Sequence, residues 1–406
     1  MLEKIKPYLN IRYFLYFFSF IAGWPCVFYL MGWLPHYTVN YLLLFALVMF
    51  FVVIRNEYRL PRPIALLLVL QVVTWGVYVV IHGFDMSYFT RILMLCITYM
   101  FLEMQLSCER LSFIKTYNWW LVFQVVAGTL GFLLVVAGIL QPIFEFREMD
   151  MRTGYFFGLF TTNTYFDGLV RNAGFYDEPG ALAFWGMYAL LINKLFVDNK
   201  KVEVLLITGL ISTLSLAYFI QIAMYGFFFY KEKGRKLLPY IMAFILALVL
   251  ISSFNERMNR AIFGRMEYNE ETGTISGDNR SEMTKVCWDI FLDSPIIGQG
   301  AQHLIEISAK RRVFVGANPN LTLACDGIIG QLIVWSPFFF LFFLRRHDKR
   351  YGWAFWILII GFLQRPYDGT QLLYPLMSFT IVLQAYLQIN DFTKNEDYGA
   401  GQKTLA

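Results

Sequence analysis

Apolar blocks of about twenty residues limit what this chain can fold into. Of its 406 residues, 58% are hydrophobic and 19% aromatic, whereas only 16% are charged. Soluble domains carry about 25% charged residues, and a helix of roughly 20 apolar residues crosses the hydrocarbon core of a bilayer. The sequence therefore predicts an all-α polytopic membrane protein.

The number of spans depends on one segment, residues 204–230, which lies between two basic loops. Its centre carries the polar residues Ser212, Thr213 and Ser215. We predict two short helices joined by a turn near Ser215, and a single long, tilted helix is the alternative. With this hairpin the count is about twelve transmembrane helices. The apolar segments are 11–33, 38–54, 63–82, 87–106, 117–140, 178–197, 204–230, 237–253, 319–344, 351–364 and 370–389.

Basic residues predict how these segments are oriented. Lys and Arg precede the first segment and follow the second, fourth, sixth and seventh, whereas the short loops "LPHY" and "HGFDMS" contain none. Because cytoplasmic loops carry the excess of Lys and Arg, both termini are predicted in the cytoplasm. Residues 1–390 then form one transmembrane domain with outer loops at 141–177 and 254–318, and residues 391–406 form a disordered cytoplasmic tail.

The second outer loop has helical character. In "RSEMTKVCWDIFLD" the apolar residues Met283, Cys287, Ile290 and Phe291 recur at helical spacing. This pattern predicts an amphipathic helix that lies at the outer membrane interface. The stretch "NERMNRAIFGRM" predicts a second, shorter interfacial helix.

The stretch "RNAGFYDEPG", residues 171–180, concentrates charge just before an apolar segment. Arg171 is a candidate phosphate ligand, because a guanidinium binds phosphate in a bidentate manner. Glu178 is the first choice for a general base and Asp177 the second, and Tyr176 is a candidate substrate-binding residue. As an alternative, the acids stabilise the N-terminus of the following helix and Arg171 pairs with one of them.

Further candidates lie in and after the second outer loop. Arg280 begins the predicted interfacial helix, where it either binds an anion or pairs with a neighbouring acid. Asn318 and Asn320 lie where the chain re-enters the membrane and are candidate substrate-binding residues. Asp326 lies inside an apolar segment, where an acid is a functional candidate or a partner in a helix–helix hydrogen bond.

Arg91 and Arg365 lie near the outer ends of two other segments. Both are candidate substrate-binding residues, and the alternative is a side chain that extends to the interface. Together with Arg171 and Arg280 they place four arginines on one face, which predicts an anionic ligand such as a lipid pyrophosphate. No D-x-D motif, no His/Cys cluster and no P-loop is present. We therefore expect no metal and no cofactor.

Four stretches together resemble the O-antigen polymerase and O-antigen ligase superfamily of bacterial inner-membrane GT-C glycosyltransferases. They are "RNAGFYDEPGALA", "LLITGLISTLSLAYF", "SGDNRSEMTKVCWDIFLDSPIIGQG" followed by "DGIIG", and "LQRPYDGTQLLYPLM". The resemblance implies donor and acceptor glycans carried on undecaprenyl pyrophosphate, membrane lipids and a chain-length regulator as partners, and an active site that faces the periplasm. It implies that Arg171 and Arg280 hold the pyrophosphate. No nucleic acid is expected.

The ligase branch of this superfamily typically has a histidine where the chain re-enters the membrane after the long loop. Here that region reads "ANPNL", without a histidine. The sequence therefore favours an O-antigen-type polymerase over a ligase that transfers the glycan to lipid A–core or another acceptor. A transporter of lipid-linked sugars is a third hypothesis, which the clustering of charges at one face disfavours.

Overall fold

The structure is a computed structural model. It describes residues 11–23, 26–55, 60–106, 109–147, 153–160, 162–165, 169–230, 268–269, 274–275, 281–311, 318–366 and 371–403. Most of these residues are helical. The helices, numbered in chain order, are α1 Ile11–Ile21, α2 Val27–Leu30, α3 Tyr37–Arg55, α4 Arg62–Ile81, α5 Met86–Leu106, α6 Ser112–Val136, α7 Pro179–Ile192, α8 Lys200–Gly209, α9 Leu216–Tyr230, α10 Ser281–Asp293, α11 Ala301–Arg311, α12 Leu321–Leu344, α13 Lys349–Gln364 and α14 Leu373–Lys403.

Five helices in the described part of the chain are long and apolar enough to cross a membrane. They are Arg62–Ile81, Met86–Leu106, Ser112–Val135, Pro179–Val197 and Leu321–Leu344, and three shorter apolar helices are Ile11–Ile21, Tyr37–Phe50 and Leu216–Tyr230. The prediction of a mostly helical, polytopic membrane protein is thereby supported. The count of about twelve spans stays a prediction, and the predicted span 237–253 lies outside the described residues.

Helix α4 shows why these helices need a bilayer around them. Its large exposed side chains recur every three or four residues, at Leu66, Val69, Val73, Val77 and Val80. Trp75 and Tyr78, on the opposite face, are buried against the rest of the protein. A continuous apolar stripe on the outside of a helix is stable in contact with lipid and costly in contact with water.

The predicted hairpin at 204–230 is present. Helix α8 leads into a short 3₁₀ turn, Leu210–Thr213, and α9 begins after it at Leu216. Leu214, between them, has a positive φ of 49°. Near the start of α8 the Glu203 carboxylate accepts hydrogen bonds from the hydroxyls of Tyr225 and Tyr230 at the end of α9. The two helices therefore run antiparallel.

The first predicted span, 11–33, is interrupted. Helix α1 ends at Ile21 and α2 begins at Val27. Between them the sequence contains Gly23 and Pro25, two residues that disfavour helix. Cys26 instead forms an isolated β-bridge with Tyr176, and the Val27 amide donates to the Phe175 carbonyl at 2.8 Å. This break attaches the first helices to the stretch 171–180.

The mostly helical fold includes one sheet that the sequence did not predict, a four-stranded antiparallel sheet in the predicted outer loop 141–177. Its strands pair in chain order as β1 Phe144–Arg147, β2 Thr153–Phe156, β3 Thr162–Tyr165 and β4 Leu169–Asn172. Aromatic and threonine residues, which favour strands, are frequent in them. Phe146 and Phe156 pack on Val27 and Phe175, so the sheet shares its core with the first helices.

The second predicted outer loop and the C-terminal segment contain the following elements. The loop 254–318 contains a short hairpin, β5 Tyr268–Asn269 with β6 Thr274–Ile275, as well as helices α10 and α11. The predicted interfacial helix in "NERMNRAIFGRM" lies outside the described residues. Helix α14 continues to Lys403, over most of the segment 391–406 for which the polar composition predicts disorder. No proline interrupts that segment, and a helix can therefore continue through it.

Candidate functional site

The stretch 171–180 is a tight turn between strand β4 and helix α7. Gly174, at its centre, has a positive φ of 59°, a conformation that glycine adopts without strain. The Gly174 amide donates to the Asn172 side-chain oxygen at 2.9 Å, and the Phe175 amide donates to Gln124 Oε1 at 2.9 Å. The side-chain amides of Asn172 and Gln124 thus bind the backbone N–H groups of the turn after strand β4 has ended.

Arg171 lies at the tip of the hairpin formed by α8 and α9. Its side chain is buried, and Nη1 donates to the Leu214 carbonyl oxygen at 3.4 Å. The neighbouring Asn172 Nδ2 donates to Ser212 Oγ at 3.0 Å. The two polar stretches that the sequence singled out, 171–180 and the centre of 204–230, are therefore in direct contact.

Glu178 and Arg365 form an ion pair in which Nη1 of the arginine donates to Oε1 of the carboxylate. Glu178 is the N-cap residue of α7, with Pro179 in the first turn, where proline needs no hydrogen-bond acceptor. Arg365 ends α13 and lies directly over Gly180. The structure thus brings together two of the predicted site residues from positions 187 residues apart.

Asp177 and Tyr176 are both buried beside this ion pair. Burial raises the pKa of the Tyr176 hydroxyl well above its usual range. Tyr176 is therefore a neutral hydrogen-bonding group at any physiological pH. Asp177 directly precedes Glu178, so one turn presents two carboxylates and one arginine.

Arg91 pairs with Asp326, and this pair is buried. Its Nη1 lies 2.6 Å from Asp326 Oδ2, and the side chains are 6% and 0% exposed. The Tyr88 hydroxyl donates to Asp326 Oδ1 at 2.9 Å, and the guanidinium carbon lies 4.5 Å from the Trp75 ring centroid. Of the two alternatives for Asp326, the structure shows the contact between helices, as an ion pair.

Helix α12 is broken at the residue after Asp326. Gly327 has φ 64° and ψ −169°, which is not helical. The Tyr78 hydroxyl of α4 bridges to the break, because it donates to the Asp326 carbonyl at 2.7 Å. In an unbroken helix the Asp326 carbonyl would instead accept the amide four residues later, that of Gly330.

The stretch "SPIIGQG" satisfies the other backbone groups at the break. The Ile328 amide donates to the Pro295 carbonyl at 2.9 Å, and the Gly300 amide donates to the Cys325 carbonyl at 2.8 Å. A Cβ at Gly298 would lie 2.2 Å from the Cys325 carbonyl oxygen. The glycines allow two backbones to touch, and the loop between α10 and α11 is thereby attached to α12.

Replacing Tyr78 with phenylalanine tests this bridge. The variant leaves the buried Asp326 carbonyl without the hydroxyl that donates to it, so we expect it to destabilise the protein by about 1–3 kcal/mol. Unfolding in detergent micelles measures the change. Tyr13→Phe, at a partly exposed tyrosine of α1, is the control and should change stability little. Equal stability of the two variants would contradict the bridge.

Asn318 and Asn320 hold α10 against the start of α12. Asn318 is buried and its Nδ2 donates to Cys287 Sγ at 3.3 Å, while Asn320 Nδ2 donates to the Thr284 carbonyl at 3.1 Å. The predicted apolar face of α10 is confirmed, since Cys287, Ile290 and Phe291 are buried and Met283 is partly so. This face packs on α11 and α12. Arg280 lies outside the described residues.

Asp85 attaches the next element, α11, to the turn between α4 and α5. Its Oδ2 accepts the Gln302 amide at 2.9 Å. Burial acts to raise the pKa of Asp85, but hydrogen bonds from Ser87 and Gln302 outweigh it and lower the pKa below its usual value. No local sequence pattern indicates a role for Asp85, Tyr78 or Tyr88, because each bonds to a partner more than 200 residues away.

Part of the chain matches a known protein family. Residues 203–322 match the O-antigen ligase family model. The match confirms the resemblance to the O-antigen polymerase and ligase superfamily. It indicates a glycosyltransferase-like membrane enzyme of O-antigen assembly that acts on lipid-linked polysaccharide. No curated protein and no solved structure matches the chain significantly.

The matched segment covers part of the candidate site. It begins at Glu203 in the hairpin and ends at the start of α12, so it contains Asn318, Asn320 and Arg280. The stretch 171–180 and Arg365 lie outside it but contact its hairpin or each other. Among the described residues no group of His, Cys, Asp and Glu could hold a metal ion.

Proposed function

We propose that this protein is an O-antigen-type polysaccharide polymerase. It transfers a glycan chain from undecaprenyl pyrophosphate to a lipid-linked repeat unit, at the periplasmic face of the bacterial inner membrane and without a metal ion. The observation that carries this proposal is the turn 171–180, which holds Arg171 against the hairpin of the matched segment and pairs Glu178 with Arg365. Two guanidinium groups beside one turn suit a pyrophosphate.

The reaction proposed is a single displacement at the anomeric carbon of the donor. A hydroxyl oxygen of the acceptor forms the new bond to that carbon as the bond to the pyrophosphate oxygen breaks. The leaving undecaprenyl pyrophosphate keeps the electron pair, and the hydroxyl proton passes to a carboxylate. Arg171, Arg365 and Arg280 stabilise the negative charge that develops on the leaving group. One displacement inverts the anomeric configuration.

The two carboxylates of the turn receive different roles. One oxygen of Glu178 is already bound by Arg365, so we assign Glu178 to holding this arginine in place. Asp177, the adjacent buried acid, then becomes the general base, which reverses the order of preference that the sequence suggested. A base must lie within hydrogen-bonding reach of the acceptor hydroxyl, and one turn supplies that proximity to the pyrophosphate site.

Arg91 receives a positioning role in this proposal. Its buried pair with Asp326 lies at the break in α12, and the loop that closes the break connects α10 to α11. Arg280 immediately precedes α10 in the sequence. The Arg91–Asp326 pair therefore supports the end of the loop from which α10 and Arg280 are positioned. At the break in α12, the backbone atoms are bound by Tyr78 and by the loop between α10 and α11. In transporters, the backbone groups at a broken helix bind the transported substrate or ion instead. This difference favours an enzyme over a transporter.

A ligase is the second candidate, because the matched family model is described as O-antigen ligase. The donor would be the same, and the acceptor would be lipid A–core or another molecule. An assay with both acceptors separates the two functions. Purified protein receives the lipid-linked donor with either the lipid-linked repeat unit or lipid A–core, and mass spectrometry identifies the product. A lengthened lipid-linked glycan supports the polymerase, whereas glycan on lipid A–core alone overturns it in favour of the ligase.

Gly180→Ala should impair transfer through Arg365. A Cβ at this position would lie 2.2 Å from Arg365 Nη2 and 2.7 Å from its Cζ, so the guanidinium must shift from the position in which it pairs with Glu178. We expect the rate of glycan transfer to fall about tenfold, because a displacement of about 1 Å in a positioned group can lower a reaction rate by up to about 100-fold. Gly226→Ala, where the Cβ meets open space, is the matched control. Equal activity of both variants would argue against a role for the position of Arg365.

A further inference from the structure

A small cavity lies next to the turn 171–180. Its volume is about 10 Å³, which is enough for one water-sized group. Tyr176 of the turn forms part of its wall, and the other walls come from the end of α1, from α3 and from the residues that begin α14. The lining residues are Ser19, Phe20, Gly23, Tyr41, Tyr176, Gln371, Leu372 and Leu373.

Gln371 is the unusual residue in this wall. Its side chain is 2% exposed, and neither the amide oxygen nor the amide nitrogen has a hydrogen-bond partner. A buried amide without partners is costly, and native proteins contain few of them. One group that is both a donor and an acceptor would satisfy both ends of this amide.

The remaining polar groups of the wall are also neutral. The Tyr41 hydroxyl lies against Gly23 and accepts the Leu372 amide at 3.2 Å. Ser19 Oγ donates to the Tyr16 carbonyl at 2.7 Å and can still accept a hydrogen bond. Among the described residues no charged side chain lines the cavity. Its lining therefore suits a neutral hydroxyl and not an ion.

The cavity is connected to the candidate site through the chain itself. Tyr176 directly precedes Asp177, and its backbone is held by the bridge to Cys26. Gln371 follows Arg365 by six residues. Tyr176 therefore belongs both to the cavity wall and to the turn that carries Asp177 and Glu178.

We propose that the cavity binds one hydroxyl group of the lipid-linked glycan, with Gln371 as its principal ligand. The Gln371 amide N–H donates to the hydroxyl oxygen, and the amide carbonyl accepts the hydroxyl proton. This subsite rests on the proposed function, since it takes part of the same substrate. Gln371 then selects sugars that carry a hydroxyl at the matching position, because an analogue without it leaves the amide unpaired.

Binding of two lipids to the full-length protein in nanodiscs tests the proposal. The probes are the undecaprenyl-pyrophosphate-linked repeat unit from the host's own polysaccharide and undecaprenyl pyrophosphate without sugar. Gln371→Leu keeps the volume and removes both hydrogen bonds. We expect it to weaken binding of the glycan-bearing lipid about tenfold and to leave binding of the sugar-free lipid unchanged. Gln371→Glu keeps a hydrogen-bond acceptor and loses the donor. Its affinity for the glycan-bearing lipid should therefore lie between those of Gln371→Leu and the wild type.

Gln105→Leu is the matched control. Gln105 is equally buried but bonds to Thr380 in another part of the bundle, so its loss should lower stability without changing either affinity. If Gln371→Leu changes thermal stability but neither affinity, the cavity holds only a buried water and the subsite is overturned. If the wild type binds neither lipid, the proposed function is overturned, and the subsite with it.

Discussion

Arg171→Ala is expected to lower the rate of glycan transfer by two to three orders of magnitude. In the proposed reaction this guanidinium stabilises charge that develops on the leaving pyrophosphate, and removal of one such positioned donor costs about 10²–10³ in rate. The loss should appear mainly in kcat, because the interaction strengthens as the bond breaks. Arg171→Lys should recover only part of the rate, since an ammonium lacks the planar fork of donors.

The rate is measured with purified protein, from release of undecaprenyl pyrophosphate at several donor concentrations. Arg110→Ala is the control, because Arg110 is an arginine that pairs with Gln384 and Asp391 and has no role in the proposed site. Size-exclusion chromatography shows whether the Arg171 variant stays folded without its contact to Leu214. A folded Arg171→Ala protein with a rate within about threefold of the Arg110 control would remove Arg171 from the site.

Asp326→Ala is expected to destabilise the protein by about 3–5 kcal/mol. The substitution leaves the Arg91 guanidinium buried, at 5% exposure, without the carboxylate 2.6 Å away. Breaking a buried pair by removing one partner costs about this much, because the other charge is left uncompensated. Unfolding of the purified protein in detergent micelles gives the difference from the wild type.

The double variant Arg91→Met with Asp326→Leu is the control for this loss. It replaces both charges with apolar groups of similar size, which is often close to neutral for a buried pair. We expect it to recover most of the stability lost in Asp326→Ala. A double variant as unstable as the single one would show that Asp326 acts through Tyr88 or the helix break and not through the charge of Arg91.

Local sequence signals predicted the elements that depend on short-range patterns. The polar centre of 204–230 predicted the α8–α9 hairpin, and the spacing of Met283, Cys287, Ile290 and Phe291 predicted the buried face of α10. Both signals are contained in fewer than thirty residues. The stretch 171–180 was singled out for its charges and its glycine, and the structure confirms a glycine turn there.

Features that depend on distant partners could not be predicted. The sheet in 141–177 consists of four-residue strands, which carry too few residues for a clear alternation. Asp326 was recognised as unusual, but its partner Arg91 is 235 residues away. Nothing in the sequence indicated that the Tyr78 hydroxyl bridges to the break in α12. The pair of Glu178 with Arg365 likewise depends on the packing of α13 against α7.

Turnover by the purified wild-type protein tests the central claim most directly. The protein in nanodiscs receives the undecaprenyl-pyrophosphate-linked repeat unit, with and without EDTA, and the glycans are separated on a gel while released undecaprenyl pyrophosphate is quantified. Our account predicts a ladder of lengthened glycans, one released lipid for each bond formed, and no effect of EDTA. Intact donor without a ladder would contradict the polymerase, and a ladder that EDTA abolishes would contradict catalysis by arginines alone.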